Sequence, residues 1–331
     1  MKYRSVVATA HGSSDVLKIT ENDLRAPATG EVRIKILAVG VCQDDIAMRV
    51  GNRPFLPKVP FTPGYNIVGD VDAIGSGVTD FAVGDRVAAL TVYGGYAEYI
   101  YLTPDQLVHV PGDLDPAEVA PLILNYLVAY QVLHRMAKVK LNDKVLLIGA
   151  SGGVGTAFLD LGKLDNLKMY GLTSPSKHAA LIELGAIPID YRSQDFVEVL
   201  RRMEPSGLDA VFNGMAEDYL TRGMKVLRRG GTLVHYGGPE SLSRFMVFMA
   251  QFIWLNVVPD GKSILGYGTH RVKIQLLKED WRKLFALLAE GKIKPIIAAT
   301  FSILEAARAN DLLAGGSVIG NVVLLTPELM G

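Results

Sequence analysis

The sequence predicts an α/β chain in which a β-rich module is split around a parallel, doubly wound sheet. Three observations carry this. From residue 144 onward, short apolar runs alternate with helical stretches, six runs in all. The first of them, at 145–148, leads straight into a glycine cluster that opens a helix. Finally, the last ~60 residues carry elements for which a completed six-stranded sheet has no place, so they return to the first module.

Up to about residue 110 the runs are short, alternating or β-branched, and punctuated by Gly and Pro. Residues 31–37, 67–71 and 84–90 read as strands of a barrel-like or antiparallel module. The pattern changes at Asp115, where Asp115-Pro116-Ala117-Glu118 offers an N-cap, a first-turn proline and an acid. A helix is expected from there to about residue 136. Strands follow at 145–148, 168–172, 187–189, 209–212, 232–236 and about 263–266, with helices between. Beyond Gly268 a helix at 278–290 and a strand at 321–325 complete the chain. The expected division is 1–122, 123–267 and 268–331, the outer pieces forming one domain.

Composition bounds the function. The 331 residues are 49% hydrophobic and 21% charged, which excludes a disordered chain. Lys+Arg and Asp+Glu are both 34, so no basic field gathers nucleic acid or an anionic membrane. One cysteine, Cys42, forms no internal disulfide. The start lacks the apolar stretch of a secretory signal, and the longest apolar run, 245–255, is too short to cross a bilayer. A cytoplasmic protein with neither nucleic-acid nor membrane partner is expected.

The glycine loop is the strongest local signal. In Gly149-Ala150-Ser151-Gly152-Gly153-Val154-Gly155 the absence of side chains lets backbone N–H groups reach a dinucleotide pyrophosphate at the positive end of a helix. An acid at the end of the second strand would bind the ribose 2′-hydroxyl of NAD, but Thr173 and Ser174 stand there. Lys177 follows as a cation, so NADP(H) is the expected cofactor. Tyr191 is a candidate for stacking on adenine, and Arg192 for a second cation.

Across most of its length the chain resembles the medium-chain dehydrogenase/reductase superfamily, and within it the zinc-free quinone oxidoreductases related to zeta-crystallin. The motifs are Gly40-Val41-Cys42, Pro63-Gly64-Tyr65-Asn66, Val83-Gly84-Asp85-Arg86-Val87, Gly94-Gly95-Tyr96, Asn125-Tyr126-Leu127-Val128, the glycine loop and Arg229-Gly230-Gly231-Thr232. The resemblance implies a GroES-like catalytic domain formed by both chain ends, a Rossmann domain between, and a cleft where nicotinamide meets substrate. It places Tyr236, Gly237, Gly266, Tyr267 and Gly268 at the nicotinamide, and Tyr126 on the substrate pocket. A homodimer paired through the Rossmann sheet edge is also implied. Val128 and Asn321 depart from the family, which more often has Thr and a basic residue there; the second departure removes one phosphate contact.

Zinc members of this superfamily use a cysteine where Cys42 stands and a His-Glu pair where Tyr65 and Asn66 stand. A phenol and an amide are poor replacements in a tetrahedral zinc site, so no metal is expected. Without a Lewis acid, oxidation of a simple alcohol is hard, whereas a quinone or enone spreads the charge that hydride delivery creates. The expected reaction is NADPH-dependent reduction of a quinone or an α,β-unsaturated carbonyl. Tyr65 is the candidate proton donor, with Cys42, Asp45 and Asn66 on the pocket. A pathway-specific enoyl reductase and a low-turnover NADPH-binding protein are the alternatives. The run 245–255 is too apolar all round for a surface helix, and core or dimer burial is expected for it, with an adaptable substrate wall as the alternative.

Overall fold

The computed structural model describes residues 1–53, 56–215, 218–238, 241–258 and 260–330. They form two units, Met1–Leu127 with Lys273–Gly331, and Val128–Val272. Both boundaries fall slightly later than expected, and the outer pieces do share a unit.

In the first unit a hairpin pairs β1 (Lys2–Ala8) with β2 (Leu17–Asp23). The larger sheet contains β3 (Val32–Val41), β4 (Asn66–Ile74), β5 (Arg86–Leu90), β6 (Tyr99–Leu102) and β7 (Val108–His109). Antiparallel ladders join them, and the alternation Val32, Ile34, Ile36 delivers every second side chain to the core. The helical segment after Asp115 begins as expected: the Asp115 carboxylate accepts from the Ala117 N–H at 2.9 Å. It continues through wider π-type turns at Leu122–Tyr126 and Gln131–Ala137. Trp281, from the returning helix Ile274–Ala289, donates its indole N–H to the Ile123 carbonyl.

The second unit holds β8 (Lys144–Ile148), β9 (Lys168–Thr173), β10 (Ala186–Asp190), β11 (Leu208–Asn213), β12 (Leu227–His235) and β13 (Ser263–Gly266). All ladders are parallel, in the order β10-β9-β8-β11-β12-β13, the doubly wound arrangement expected. The switch point lies between β8 and β9 on one side and β11 on the other, where ligands of such sheets bind. At the opposite, N-terminal edge, Lys144, Lys168 and Tyr170 all donate to the nearly buried Glu204 at 2.5–2.7 Å. Burial pushes the Glu204 carboxyl up, but these three donors win and hold it at about 2.

Two elements differ from expectation. The returning piece adds β14 (Ile297–Ser302) parallel to β15 (Asn321–Leu325), with the helix Ala306–Ala314 between them, where only the last strand is expected. The apolar run lies in the helix Leu242–Val257, no residue of which is fully buried. Full core burial is therefore corrected: Phe248, Phe252 and Leu255 pack partly buried on the core of the second unit, while Met246, Val247, Ile253, Trp254 and Val257 are all more than half exposed.

Candidate functional site

In the second unit the glycine loop joins β8 to the helix Gly153–Leu164, with Gly152 as its N-cap. Each glycine serves a different need. A side chain at Gly155 would put its Cβ 2.4 Å from the Gly149 carbonyl, so this position sets how closely helix and strand pack. A Cβ at Gly152 would meet nothing nearer than the Gly149 oxygen at 3.9 Å, so the space in front of it is open. The first turn of the helix leaves the N–H groups of Gly153, Val154 and Gly155 without intrahelical acceptors, facing an anion's natural position. An open cradle with unsatisfied donors suits a dinucleotide pyrophosphate.

Of the expected 2′-phosphate residues, Lys177 reaches this loop. Lys177 is half-buried, and its ammonium lies 3.3 Å from the Ser151 hydroxyl. Burial lowers its pKa from the ordinary lysine value. Thr173 ends β9 buried, and Ser174 caps the following turn with its hydroxyl 3.2 Å from that of Ser176. An acid not anticipated from the sequence stands one strand away: Asp190 is the register partner of Thr173. Its oxygens accept from the Ser193 hydroxyl and the Arg192 N–H, which lower its pKa and commit it to its own turn. Tyr191 is 42% exposed, with the Arg192 guanidinium over its ring at 5.7 Å.

The residues expected at the nicotinamide end cluster at the C-terminal ends of β12 and β13. Tyr236 packs on Phe158 and beneath Gly214, and burial raises its hydroxyl above the usual tyrosine range. Gly237 lies so near the Gly214 and Met215 carbonyls that a Cβ there would stand about 3.0 Å from the first and 3.1 Å from the second. Gly266 ends β13 and is exposed, and the Tyr267 hydroxyl donates to Gln131 at 2.7 Å. A Cβ on Gly268 would strike the His270 ring at 2.8 Å.

In the first unit, the helix Gln43–Val50 starts at Cys42 and carries Asp45 in its first turn. Asp45 is 0% exposed and receives four donors: the Cys42 N–H at 3.0 Å, the Cys42 thiol at 3.3 Å, the Gly64 N–H at 3.0 Å and the Tyr96 hydroxyl at 3.1 Å. Asn310, from the far end of the chain, donates to the same Tyr96 oxygen, and Arg49 donates to Asn310. Burial is the main influence on Asp45 and raises its carboxyl to about 6 against those donors. Burial, then the neighbouring Asp45, pushes the Cys42 thiol well up, which makes it a poor nucleophile.

Three of the residues expected on the pocket are engaged within the fold. Asp45 caps a helix and clamps the Gly64 turn. Asn66, 2% exposed, turns its carboxamide to both backbone groups of Gly40, closing β3 on β4 where the regular ladder stops. Tyr126 is 1% exposed and belongs to the buried helical segment. Gly64 has a φ of +112°, and a Cβ there would approach Gly95 and Tyr96 to 2.5 Å, so only glycine fits beside the Asp45 clamp. Tyr65 follows it, partly exposed, its carbonyl accepting from the N–H groups of Thr91 and Val92. Tyr96 and Asn310 are the partners that sequence reasoning missed.

Among the described residues no three His, Cys, Asp or Glu side chains gather in a metal-binding group. The donor set around Cys42 does not suit zinc. Its thiol is spent on Asp45, and the Asn66 amide on Gly40.

Comparison with known proteins agrees with both units. Residues 28–112 match the alcohol dehydrogenase GroES-like domain, and residues 184–324 match the zinc-binding dehydrogenase domain. The synaptic vesicle membrane protein VAT-1 homolog of Rattus norvegicus is 31% identical over 97% of this chain and 84% of its own length. The quinone oxidoreductase of Sus scrofa is 28% identical over 95% of each chain. The solved structure of the quinone oxidoreductase from Pseudomonas syringae pv. Tomato superposes with a TM-score of 0.87 at 27% identity, covering 98% of this chain and 99% of the other.

Proposed function

Because the chain belongs to the medium-chain dehydrogenase/reductase superfamily, in the group that includes quinone oxidoreductases and VAT-1 homologues, we propose that it is a zinc-independent, NADPH-dependent reductase of quinones or α,β-unsaturated carbonyls. The observation that carries the cofactor choice is the Lys177 ammonium at the glycine loop, with no carboxylate at the end of β9. A 2′-phosphate would find a cation there, and the nearby Asp190 carboxylate is engaged by the Ser193 hydroxyl and the Arg192 N–H of its own turn.

When bound, NADPH supplies the hydride. The amides of Gly153 and Val154, in front of which the side-chain-free Gly152 leaves open space, would hold its pyrophosphate, and Thr173, Ser174 and Lys177 would hold the ribose phosphate, with Tyr191 under the adenine. Tyr236, Gly237, Gly266, Tyr267 and Gly268 frame the nicotinamide end, where small residues admit the ring. On the acceptor side, Tyr65 supplies a proton to the oxygen that gains charge, worth about 10²–10⁴-fold in rate for general acids of this kind. The acceptor would thus be reduced by two electrons, its hydride coming from the bound nicotinamide and its proton from Tyr65. Conjugation in the acceptor does the work that zinc performs in an alcohol dehydrogenase.

The test is the loss of NADPH absorbance with 9,10-phenanthrenequinone, benzoquinone and simple enones. Turnover with at least one conjugated acceptor, unaffected by chelators, is expected; oxidation by none of them would sink the reading. We further propose a homodimer, supported by two features of the second unit. β13 ends its sheet with one side unpaired among the described residues, and the helix Leu242–Val257 exposes a wide apolar face. Cytoplasmic residence completes the proposal. Among the described residues no helix is long and apolar enough to cross a membrane.

A further inference from the structure

The first unit contains a cavity of about 540 Å³ that the chemistry above leaves without an occupant. Its size falls within the range of small-molecule sites, roughly 300–1,000 Å³. Met48, Phe61 and Val92 supply much of an apolar lining, to which Thr62 and Tyr93 bring hydroxyl-bearing side chains. Lys58 is the one charged side chain among the described residues of the wall, and it is exposed at the surface.

The backbone ties this cavity to Tyr65. The N–H groups of Thr91 and Val92 both donate to the Tyr65 carbonyl, at 2.9 and 3.1 Å, and the Gly94 N–H donates to the Thr62 carbonyl at 2.7 Å. The wall segments 61–62 and 92–94 thus flank the turn that carries the proton donor. Val92 has a φ of +66°, a conformation that a β-branched residue adopts only under constraint. The constraint fixes the Val92 side chain on the cavity wall. Met48, at the inner wall, belongs to the helix that Asp45 caps, so the wall shares its support with the Gly64 turn. Thioether side chains adapt to ligands of varied outline.

We propose that this cavity takes the apolar body of a conjugated acceptor that bears an anionic group, with Lys58 pairing with the anion; the inference rests on the quinone or enone reading above. An apolar hollow open to solvent orients such a molecule poorly by itself. One cation on its rim fixes which end faces outward and discriminates a charged acceptor from its neutral parent.

The test compares 1,4-naphthoquinone with its 2-sulfonate, at low ionic strength because salt screens an exposed cation. The ratio of kcat/KM for the sulfonate to that for the neutral quinone is expected to fall about three- to fivefold in Lys58→Gln, the scale of one exposed ion pair, and further in Lys58→Glu. The neutral quinone should keep its kcat. An unchanged ratio in both variants overturns the proposal while leaving the reductase reading intact. Fluorescence titration with 8-anilinonaphthalene-1-sulfonate separates the two in the other direction, since it needs no hydride transfer. If neither quinone oxidises NADPH, weaker binding of this anion by Lys58→Glu supports the cavity and condemns the reductase reading. Under that outcome, equal binding by the wild type and Lys58→Glu overturns the cavity as well.

Discussion

Replacing Asp45 with Asn isolates the buried clamp of the first unit. Asp45 is fully enclosed, and its carboxyl titrates at about 6 in the fold against an ordinary 3.8. A carboxyl raised on folding binds more protons folded than unfolded, so stability falls as pH rises from about 4 to about 6. At about 1.4 kcal/mol per tenfold, that difference amounts to about 3 kcal/mol, present below pH 4 and lost by pH 7. Asn does not titrate, so the variant lacks this fall. It also sets an amide N–H₂ against one of the donors from Gly64, Cys42 and Tyr96, at an expected cost of about 1–3 kcal/mol at every pH. The assay is urea unfolding of both proteins at intervals from pH 4.5 to 8. The stability difference between them should be largest at the acid end and narrow by about 2 kcal/mol toward pH 8, because only the wild type loses the contribution. Parallel pH profiles would refute the reasoning and place an ionised, well-compensated carboxylate at Asp45 throughout.

Three further outcomes are expected. Gly155→Ala should lose several kcal/mol of stability in a denaturant melt because its Cβ meets backbone at 2.4 Å, whereas Gly152→Ala should fold normally and lose NADPH affinity in a fluorescence titration. Equal folding of the two variants would refute this division of roles. Glu204→Gln should cost about 2 kcal/mol at pH 7, after discounting for the half-exposed lysines around it. A carboxyl depressed to about 2 contributes fully above the unfolded value of 4.5 and loses its contribution as pH falls toward 2, so the two proteins should converge there, and a constant gap would count against it. Trp254→Glu should shift sedimentation from dimer to monomer if the exposed helix pairs two copies; an unchanged mass excludes that face.

Local chemistry was legible where it acts over a few residues. The Asp115 cap and the strand-to-glycine turn at 145–155 were both readable, because each depends on neighbours within one turn. That six strands form one parallel sheet followed from their alternation with helices, whereas their order did not. What was not legible depends on pairings across the chain. Arg49 and Asn310 meet across 261 residues, and Tyr96 reaches Asp45 across 51, so no window of sequence displays the clamp. Asn66 stands in a position that resemblance marks as chemical, yet its amide replaces missing ladder bonds at Gly40, which only the strand register reveals. Asp190 was overlooked because the acid was sought at the end of β9, while parallel pairing sets the end of β10 beside it. For the apolar helix Leu242–Val257 core or dimer burial was expected, since apolar composition signals burial without saying whether the chain itself or another surface provides it.

The most direct measurement is kcat/KM for NADPH relative to NADH, with 9,10-phenanthrenequinone as acceptor, in the wild type and in Lys177→Ala. A strong preference for NADPH in the wild type is expected, reduced by about tenfold or more in the variant through a rise in KM for NADPH alone. Equal use of the two cofactors by the wild type, or equal losses with both in the variant, would contradict the assignment of Lys177 to a 2′-phosphate.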